Sequence, residues 1–299
     1  MKQFKVIFAG LGNAGKTSIL KVLDRQFHKI ANLVPTKGVE RSLSTILGFS
    51  VSKWDLGGQS QYREQYLTTR IETLLEAEVI LFVVDIQDNT YSEAVNYYKE
   101  ILKIVKSHNE NPYIIICLHK ADPEVYDQYK QNINDLIKLF EEPSKDWNHK
   151  FYITSVYNRQ SIIEAFSFGI SQFLPKKKSI DLLLRNYIKS ANEAGEKVSG
   201  VMLWDENSLF LNMIFDDKKT EQTSLTASTG ILLTIESFEK DKTFQCLQLE
   251  VNREFQFYVQ KVGELYTTIV GKQLDFEKAW KIYDDHYLTN LEEIIEEGK

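Results

Sequence analysis

Gly10-Leu11-Gly12-Asn13-Ala14-Gly15-Lys16-Thr17 follows the first apolar run of the chain, Val6-Ile7-Phe8-Ala9, and opens a helical pattern. Strand, glycine-rich loop and helix in that order are what a phosphate-binding P-loop requires. Gly10 and Gly15 let the backbone wrap closely around phosphates, with N–H groups and the following helix N-terminus aimed at negative charge. Gly10, Asn13, Ala14, Gly15, Lys16, Thr17 and Ser18 are therefore the expected phosphate-binding residues. Lys16 would reach the β/γ-phosphates, and Thr17 would place its hydroxyl on Mg²⁺.

Outward from this loop, alternating β and α patterns continue to about Pro175. Val79–Val84 and Tyr113–Leu118 are nearly continuous apolar runs, as strands buried on both faces of a parallel sheet require. Helical stripes lie between them: Ile19, Val22 and Leu23; Val95, Tyr98, Leu102 and Val105; Ile133, Leu136, Ile137 and Phe140; Ile163, Phe166, Ile170 and Phe173. Residues 39–54 instead read as two strands joined near Gly48 with no helix between them. The expectation for residues 1–175 is a doubly wound α/β domain of the P-loop NTPase type. Its sheet is mostly parallel with one antiparallel edge strand, and ligand is expected at the carboxyl ends of the strands.

Pro175 and Lys176-Lys177-Lys178 break the pattern, and residues 176–179 read as a solvated linker. Residues 180–299 then give a helix near Ile180–Ala194 and strands around Gly200–Trp204 and Ser208–Phe215. A long helix follows, carrying Ser228, Ile231, Leu232, Ile235 and Phe238 on one face. Three strand-like runs start near Thr243, Glu254 and Leu265. A last helix aligns Phe276, Ala279, Trp280, Tyr283, Tyr287, Leu291 and Ile294. That order describes a separate α+β domain.

Four further motifs carry chemistry. In Trp54-Asp55-Leu56-Gly57-Gly58-Gln59, Asp55 sits where a carboxylate would hold Mg²⁺, Gly58 can offer its N–H to a γ-phosphate, and Gln59 can orient an attacking water. In His119-Lys120-Ala121-Asp122, the Asp122 carboxylate can accept from both N1–H and N2–H₂ of guanine, which adenine cannot offer. Lys120 can lay its methylene stem along the base. His119 stands where such motifs usually carry Asn, and an imidazole N–H could replace one donor. In Pro35-Thr36-Lys37-Gly38-Val39-Glu40, Thr36 is the natural residue to coordinate Mg²⁺ only when a γ-phosphate is present. After Thr154, Ser155 and Val156 could place backbone donors near the guanine carbonyl oxygen.

A net charge of −6 argues against a general nucleic-acid binder, whose footprint would be basic. Cys117 and Cys246 both fall in apolar runs and read as buried, reduced thiols of a cytosolic protein. No run approaches the length of a membrane span, and neither a signal peptide nor a lipidation signal is read. The expectation is a cytoplasmic chain with no direct membrane anchor, which would reach any membrane surface through a partner.

These motifs resemble the small GTPases, and the Rag/Gtr family more than Ras or Arf. WDLGGQ is similar to both Arf and Rag proteins. His119-Lys120-Ala121-Asp122, the spacing of Thr36 to Glu40, and Tyr157 two residues after Ser155 are Rag-like. So are Val79–Asp85 with Tyr97-Tyr98 in the next helix, and the close at Phe173-Leu174-Pro175. PTKG is closer to an Arf loop. The resemblance implies GTP or GDP with Mg²⁺ on Thr17, Thr36 and Asp55, and catalysis by Gln59 and Lys16. It also implies a C-terminal roadblock/longin-like domain over 180–299 that dimerises with itself or a second chain, through the helix Lys218–Phe238 and an edge strand. Rag-like proteins act as heterodimers in nutrient signalling. No arginine precedes Thr36 in its loop, so slow intrinsic turnover and dependence on GTPase-activating and exchange factors are expected. The alternatives are a nucleotide-stabilised scaffold with little switching, and an ATPase.

Overall fold

The apolar run ahead of the glycine-rich loop forms β1 (Gln3–Ala9), and the loop leads into α1 (Lys16–Leu23). In this computed structural model, which describes residues 3–46, 49–88, 91–174, 176–205, 209–239, 245–263 and 265–296, the chain divides into two compact units at Gly169/Ile170. The first continues through β2 (Val39–Ile46), β3 (Phe49–Leu56), α2 (Ser60–Thr68), β4 (Val79–Asp85), α3 (Tyr91–Ser107), β5 (Tyr113–His119), α4 (Tyr126–Ser144) and β6 (His149–Thr154) to α5 (Arg159–Ser171). Its sheet runs β2-β3-β1-β4-β5-β6. All pairs are parallel except β2 with β3. The antiparallel edge strand is where the missing helix between residues 39 and 54 put it; the turn near Gly48 lies outside the described residues.

The continuous apolar runs are explained by burial on both sides. Val79–Val84 and Ile114–Leu118 are buried without a break, and helices need the connecting length between parallel strands. Phe82 of β4 carries the centre of the core, with its ring centroid 4.9 Å from Tyr98, 5.9 Å from Tyr97 and 5.7 Å from Phe140. Each such buried ring contributes about 2 kcal/mol of burial free energy. The predicted stripe of α3 is buried throughout; that of α4 is buried at Ile133, Leu136 and Phe140. Phe173 lies beyond the end of α5, so it is not part of that helix's stripe. Because every strand of the parallel set points the same way, the loops after β1, β3 and β5 converge on one edge of the sheet.

The second unit contains α6 (Lys177–Glu193), β7 (Val198–Asp205), β8 (Phe210–Phe215), α7 (Lys218–Glu239), β9 (Cys246–Val251), β10 (Phe255–Val262), β11 (Leu265–Gly271), α8 (Phe276–Tyr283) and α9 (Thr289–Glu296). Its antiparallel sheet has the order β8-β7-β11-β10-β9. α6 and α8 cover one face: Asn212 donates to Asp181 at 2.6 Å, Tyr187 to the Ala279 carbonyl at 3.1 Å, and Tyr258 stacks on Phe276. Phe255, Phe257 and Val259 are buried in alternation, as the half-buried reading required. The start expected near Thr243 lies outside the described residues, as do the side chains of Leu232 and Phe238.

Three expectations are corrected. The linker at 176–179 is helical from Lys177, because the helix extends over a stripe that buries Ile180, Leu184 and Tyr187; the Lys176 carbonyl, at a left-handed φ of 57°, accepts from Ser179 at 2.8 Å and Ile180 at 3.1 Å. Cys246 is exposed while Cys117 is buried. β9 is an edge strand whose residues alternate, and Cys246 is on the outward set. The last helix is not uniform: a π-helical turn, Asp284–Leu288, separates α8 from α9. In a regular helix Leu291 would be rotated about 80° from Tyr283, and the wider turn brings both to the buried side.

The join between α6 and β7 rests on a buried carboxylate. Glu196 Oε1 lies 3.0 Å from Lys278 Nζ, and its Oε2 accepts from the Asp275 N–H at 2.9 Å. Glu196→Ala leaves the Asp275 N–H without its acceptor and leaves Lys278, which keeps the Ala194 carbonyl at 2.6 Å, without its counter-charge. Urea unfolding is expected to show a loss of about 2–3 kcal/mol. A change within the noise of the measurement would mean that Glu196 is a solvated surface group.

Candidate functional site

Asp55 is the last residue but one of β3 and is buried beside the P-loop. Parallel pairing of β3 with β1 sets Asp55 opposite Phe8, one residue before the end of β1. Its Oδ2 accepts from the Thr17 hydroxyl at 2.6 Å and the Thr36 hydroxyl at 3.0 Å, and the two threonine oxygens are 2.9 Å apart. The three residues predicted to hold Mg²⁺ therefore converge, although they come from α1, the loop before β2, and β3. Asp55 Oδ1 is buried with no hydrogen-bond partner. Three hard oxygen donors around an unsatisfied buried carboxylate oxygen fit Mg²⁺. Burial pushes the Asp55 carboxyl above the usual range, opposed by the Thr17 bond and the Lys16 charge.

Lys16 is buried, and its ammonium donates to the carbonyls of Leu11 at 2.7 Å and Gly10 at 3.1 Å. Desolvation lowers its pKa to about 8, with Asp55 holding it up. Asn13 takes a left-handed φ of 61° and Gly15 one of 99°, which shapes the loop into a cradle. The loop carrying Gly58 closes on it: an ideal Cβ at Gly58 would stand 2.3 Å from the Leu11 carbonyl, so only glycine permits this approach. Gly12, Asn13, Gly15, Lys16, Thr17 and Ser18 line a cleft of about 170 Å³ together with Thr36, Gly58 and Gln59. The Gln59 side chain is exposed at this cleft and accepts from Gln61 at 3.2 Å.

At the ends of β5 and β6 the remaining predicted residues form a second cluster. Asp122 accepts a hydrogen bond from the Ser155 hydroxyl, and Ser155 Oγ in turn accepts from the Tyr157 N–H at 3.1 Å. Val156 is half-buried between them. Lys120, at φ 62°, is ion-paired with Asp85 at 2.6 Å. The neighbouring His119 is fully buried, with Nδ1 3.0 Å from Thr154 Oγ1. Its ring edge touches the P-loop: an ideal Cβ at Gly15 would lie 2.3 Å from His119 Cδ2 and 2.7 Å from Nε2. The imidazole thus bridges the two clusters at the place where an Asn side chain is usual. Burial and the Lys120 charge depress its pKa to about 3, so it is neutral at physiological pH.

Asp85, Gln87, Leu33, Val34 and Pro35 belong to the site and were not predicted for it. Asp85 pairs with Lys120, and Gln87 donates to the Lys120 carbonyl at 2.9 Å. The signal for Asp85 was its place at the end of the β4 run, because parallel register sets it beside His119. Leu33, Val34 and Pro35 line the cleft through a loop whose path no periodicity encodes.

The chain matches the Gtr1/RagA G protein conserved region over residues 5–240. It is similar to Ras-related GTP-binding protein A of Dictyostelium discoideum, 26% identical over 65% of this chain and 65% of that one. Ras-related GTP-binding protein B of Rattus norvegicus is 27% identical over 51% of this chain, which spans 41% of its length. GTP-binding protein gtr1 of Schizosaccharomyces pombe is 20% identical over 92% and 90% of the two chains.

The buried His119 makes stability depend on pH. Its folded pKa lies below the unfolded value of 6.5, so its contribution is full above that value and is lost as the pH falls toward about 3. Within this window wild type should lose about 1.4 kcal/mol more per pH unit than His119→Asn. Denaturant titrations across the window measure both slopes. Parallel slopes would show that the ring is solvated.

Proposed function

The chain belongs to the Gtr1/RagA G protein family, and from that membership we propose that it is a guanine-nucleotide switch with slow GTP hydrolysis. The observation that carries this reading is the convergence of Thr17, Thr36 and Asp55 beside Lys16, under a lid formed by the Gly58 loop. Two separate loops reach the phosphate cradle. Each can therefore be held inward by a γ-phosphate and released on its loss.

Asp122, its carboxylate oriented by Ser155, selects guanine through N1–H and N2–H₂, while Val156 offers a backbone donor to the carbonyl oxygen; the Ser155 N–H expected beside it is engaged by Ser161 Oγ at 3.2 Å. The Lys120 stem lies along the base. The P-loop amides and Lys16 grip the phosphates, and Lys16 offsets charge that develops on the β/γ oxygens. Gln59 lies exposed at the cleft mouth, where giving up its surface hydrogen bond from Gln61 lets it turn inward and orient water. Thr17, Thr36 and Asp55 would hold Mg²⁺, which would supply charge neutralisation at the phosphates. Residues 26–36 contain no arginine, so turnover is slow until a partner supplies the missing charge.

Residues 180–299 serve as a roadblock-like module that pairs with a second copy or a second chain. The exposed Leu233 on α7 and the open edge of β9 support this placement. The protein works in the cytoplasm. Among the described residues no helix is long and apolar enough to cross a membrane, so contact with a membrane would come through a partner.

Single-turnover hydrolysis by the full chain tests the switch. Wild type should turn GTP over slowly, Gln59→Leu should lower the rate by about tenfold or more while keeping GTP bound, and Asp122→Asn should shift preference toward xanthine nucleotides. Equal rates for wild type and Gln59→Leu would favour a nucleotide-stabilised scaffold. Competition by ATP together with an unchanged Asp122→Asn preference would overturn the guanine assignment.

A further inference from the structure

Tyr66 is fully buried on α2, and its hydroxyl donates to the Gly38 carbonyl at 2.7 Å. The same carbonyl accepts the Gly57 N–H at 2.8 Å. Gly38 lies two residues after Thr36, and α2 begins directly after Gln59. One oxygen atom therefore ties together the two loops that carry Thr36 and Gln59. The fit around it is tight on one side only. An ideal Cβ at Gly57 would stand 2.7 Å from the Thr36 carbonyl and 3.0 Å from the Gly38 carbonyl, whereas one at Gly38 would meet nothing within 4 Å. Packing leaves the turn at Gly38 open on that side, and hydrogen bonds hold it.

We propose that the Tyr66 hydroxyl is a positioning group that couples the two loops, so that Thr36 and Gln59 take up or leave their places together. This inference rests on the switch reading above. Tyr66 touches neither the cleft nor the three oxygen donors, and it acts through the Gly38 peptide. With the clamp in place, setting Thr36 against Thr17 and Asp55 also draws the start of α2 toward the P-loop. Without it, the Thr36 loop keeps the Gly38–Gly57 hydrogen bond but loses the hydrogen bond that ties it to the helix. The binding energy of a γ-phosphate at one loop then no longer orders the other.

The substitution that tests this is mild. In Tyr66→Phe the ring still fills its buried place, and the Gly38 carbonyl keeps the Gly57 N–H, so no buried acceptor is orphaned. Tyr98→Phe is the control, because its hydroxyl is likewise buried but meets Ser144, away from both loops. Full-length variants are compared by competition binding of GDP and of a non-hydrolysable GTP analogue, with hydrogen exchange over residues 33–40 in each nucleotide state. Tyr66→Phe should weaken the analogue about fivefold relative to GDP and raise exchange in the analogue-bound loop. Tyr98→Phe should leave both unchanged. If wild type protects the loop with the analogue and Tyr66→Phe matches it, the clamp is overturned and the switch stands. An equal loss of affinity for both nucleotides, tracking a lowered melting temperature, also overturns the clamp. If wild type itself protects the loop equally with both nucleotides, the switch reading falls, and the clamp with it.

Discussion

Burying the Asp55 carboxylate constrains the first unit more than any other single interaction. A charge removed from water costs several kcal/mol unless other groups meet it. Here Thr17, Thr36 and the Lys16 charge do so. Those groups come from α1 and the loop before β2 while Asp55 itself is on β3, so satisfying one carboxylate fixes the start of α1, that loop and the end of β3 together. The parallel sheet makes this possible, since β1 and β3 deliver their C-terminal ends to the same edge.

A second constraint links the P-loop to the cluster at the ends of β5 and β6. The His119 ring rests against Gly15, where a methyl group would collide with it. The ring is neutral because burial and Lys120 oppose its protonation. It can therefore pack on the P-loop without bringing a second buried cation toward Lys16. The departure from the usual Asn is thus accommodated by contact as well as by hydrogen bonding to Thr154.

Most of the first unit was legible in order and type. The unbroken apolar runs announced parallel strands, and the absence of helical spacing between residues 39 and 54 announced the edge hairpin. Each predicted metal residue sits with the others because each belongs to a motif whose spacing reflects backbone geometry. Legibility failed where structure depends on long-range packing. Cys246 was misread because an edge strand and a core strand share apolar content, and only the neighbour count across the sheet separates them. The π turn at 284–288 escaped because 3.6-residue spacing fits a regular helix equally well. The lysines after Pro175 look like a linker by composition, yet they sit at the N-cap and on the first turn of a helix whose buried stripe begins at Ile180.

Local chemistry is what a chain writes directly: glycines where the backbone must approach a ligand, a lysine and threonine at the head of a helix, a carboxylate after a strand. From these the fold of the first unit and the gathering of its motifs at one edge of the sheet could be read. Tertiary structure alone decided which groups meet across the chain. It set Asp85 against Lys120, His119 against Gly15, and the Tyr66 hydroxyl against the carbonyl of Gly38. Such pairings depend on strand register and on how one helix lies over a loop, and no periodicity in the sequence records either.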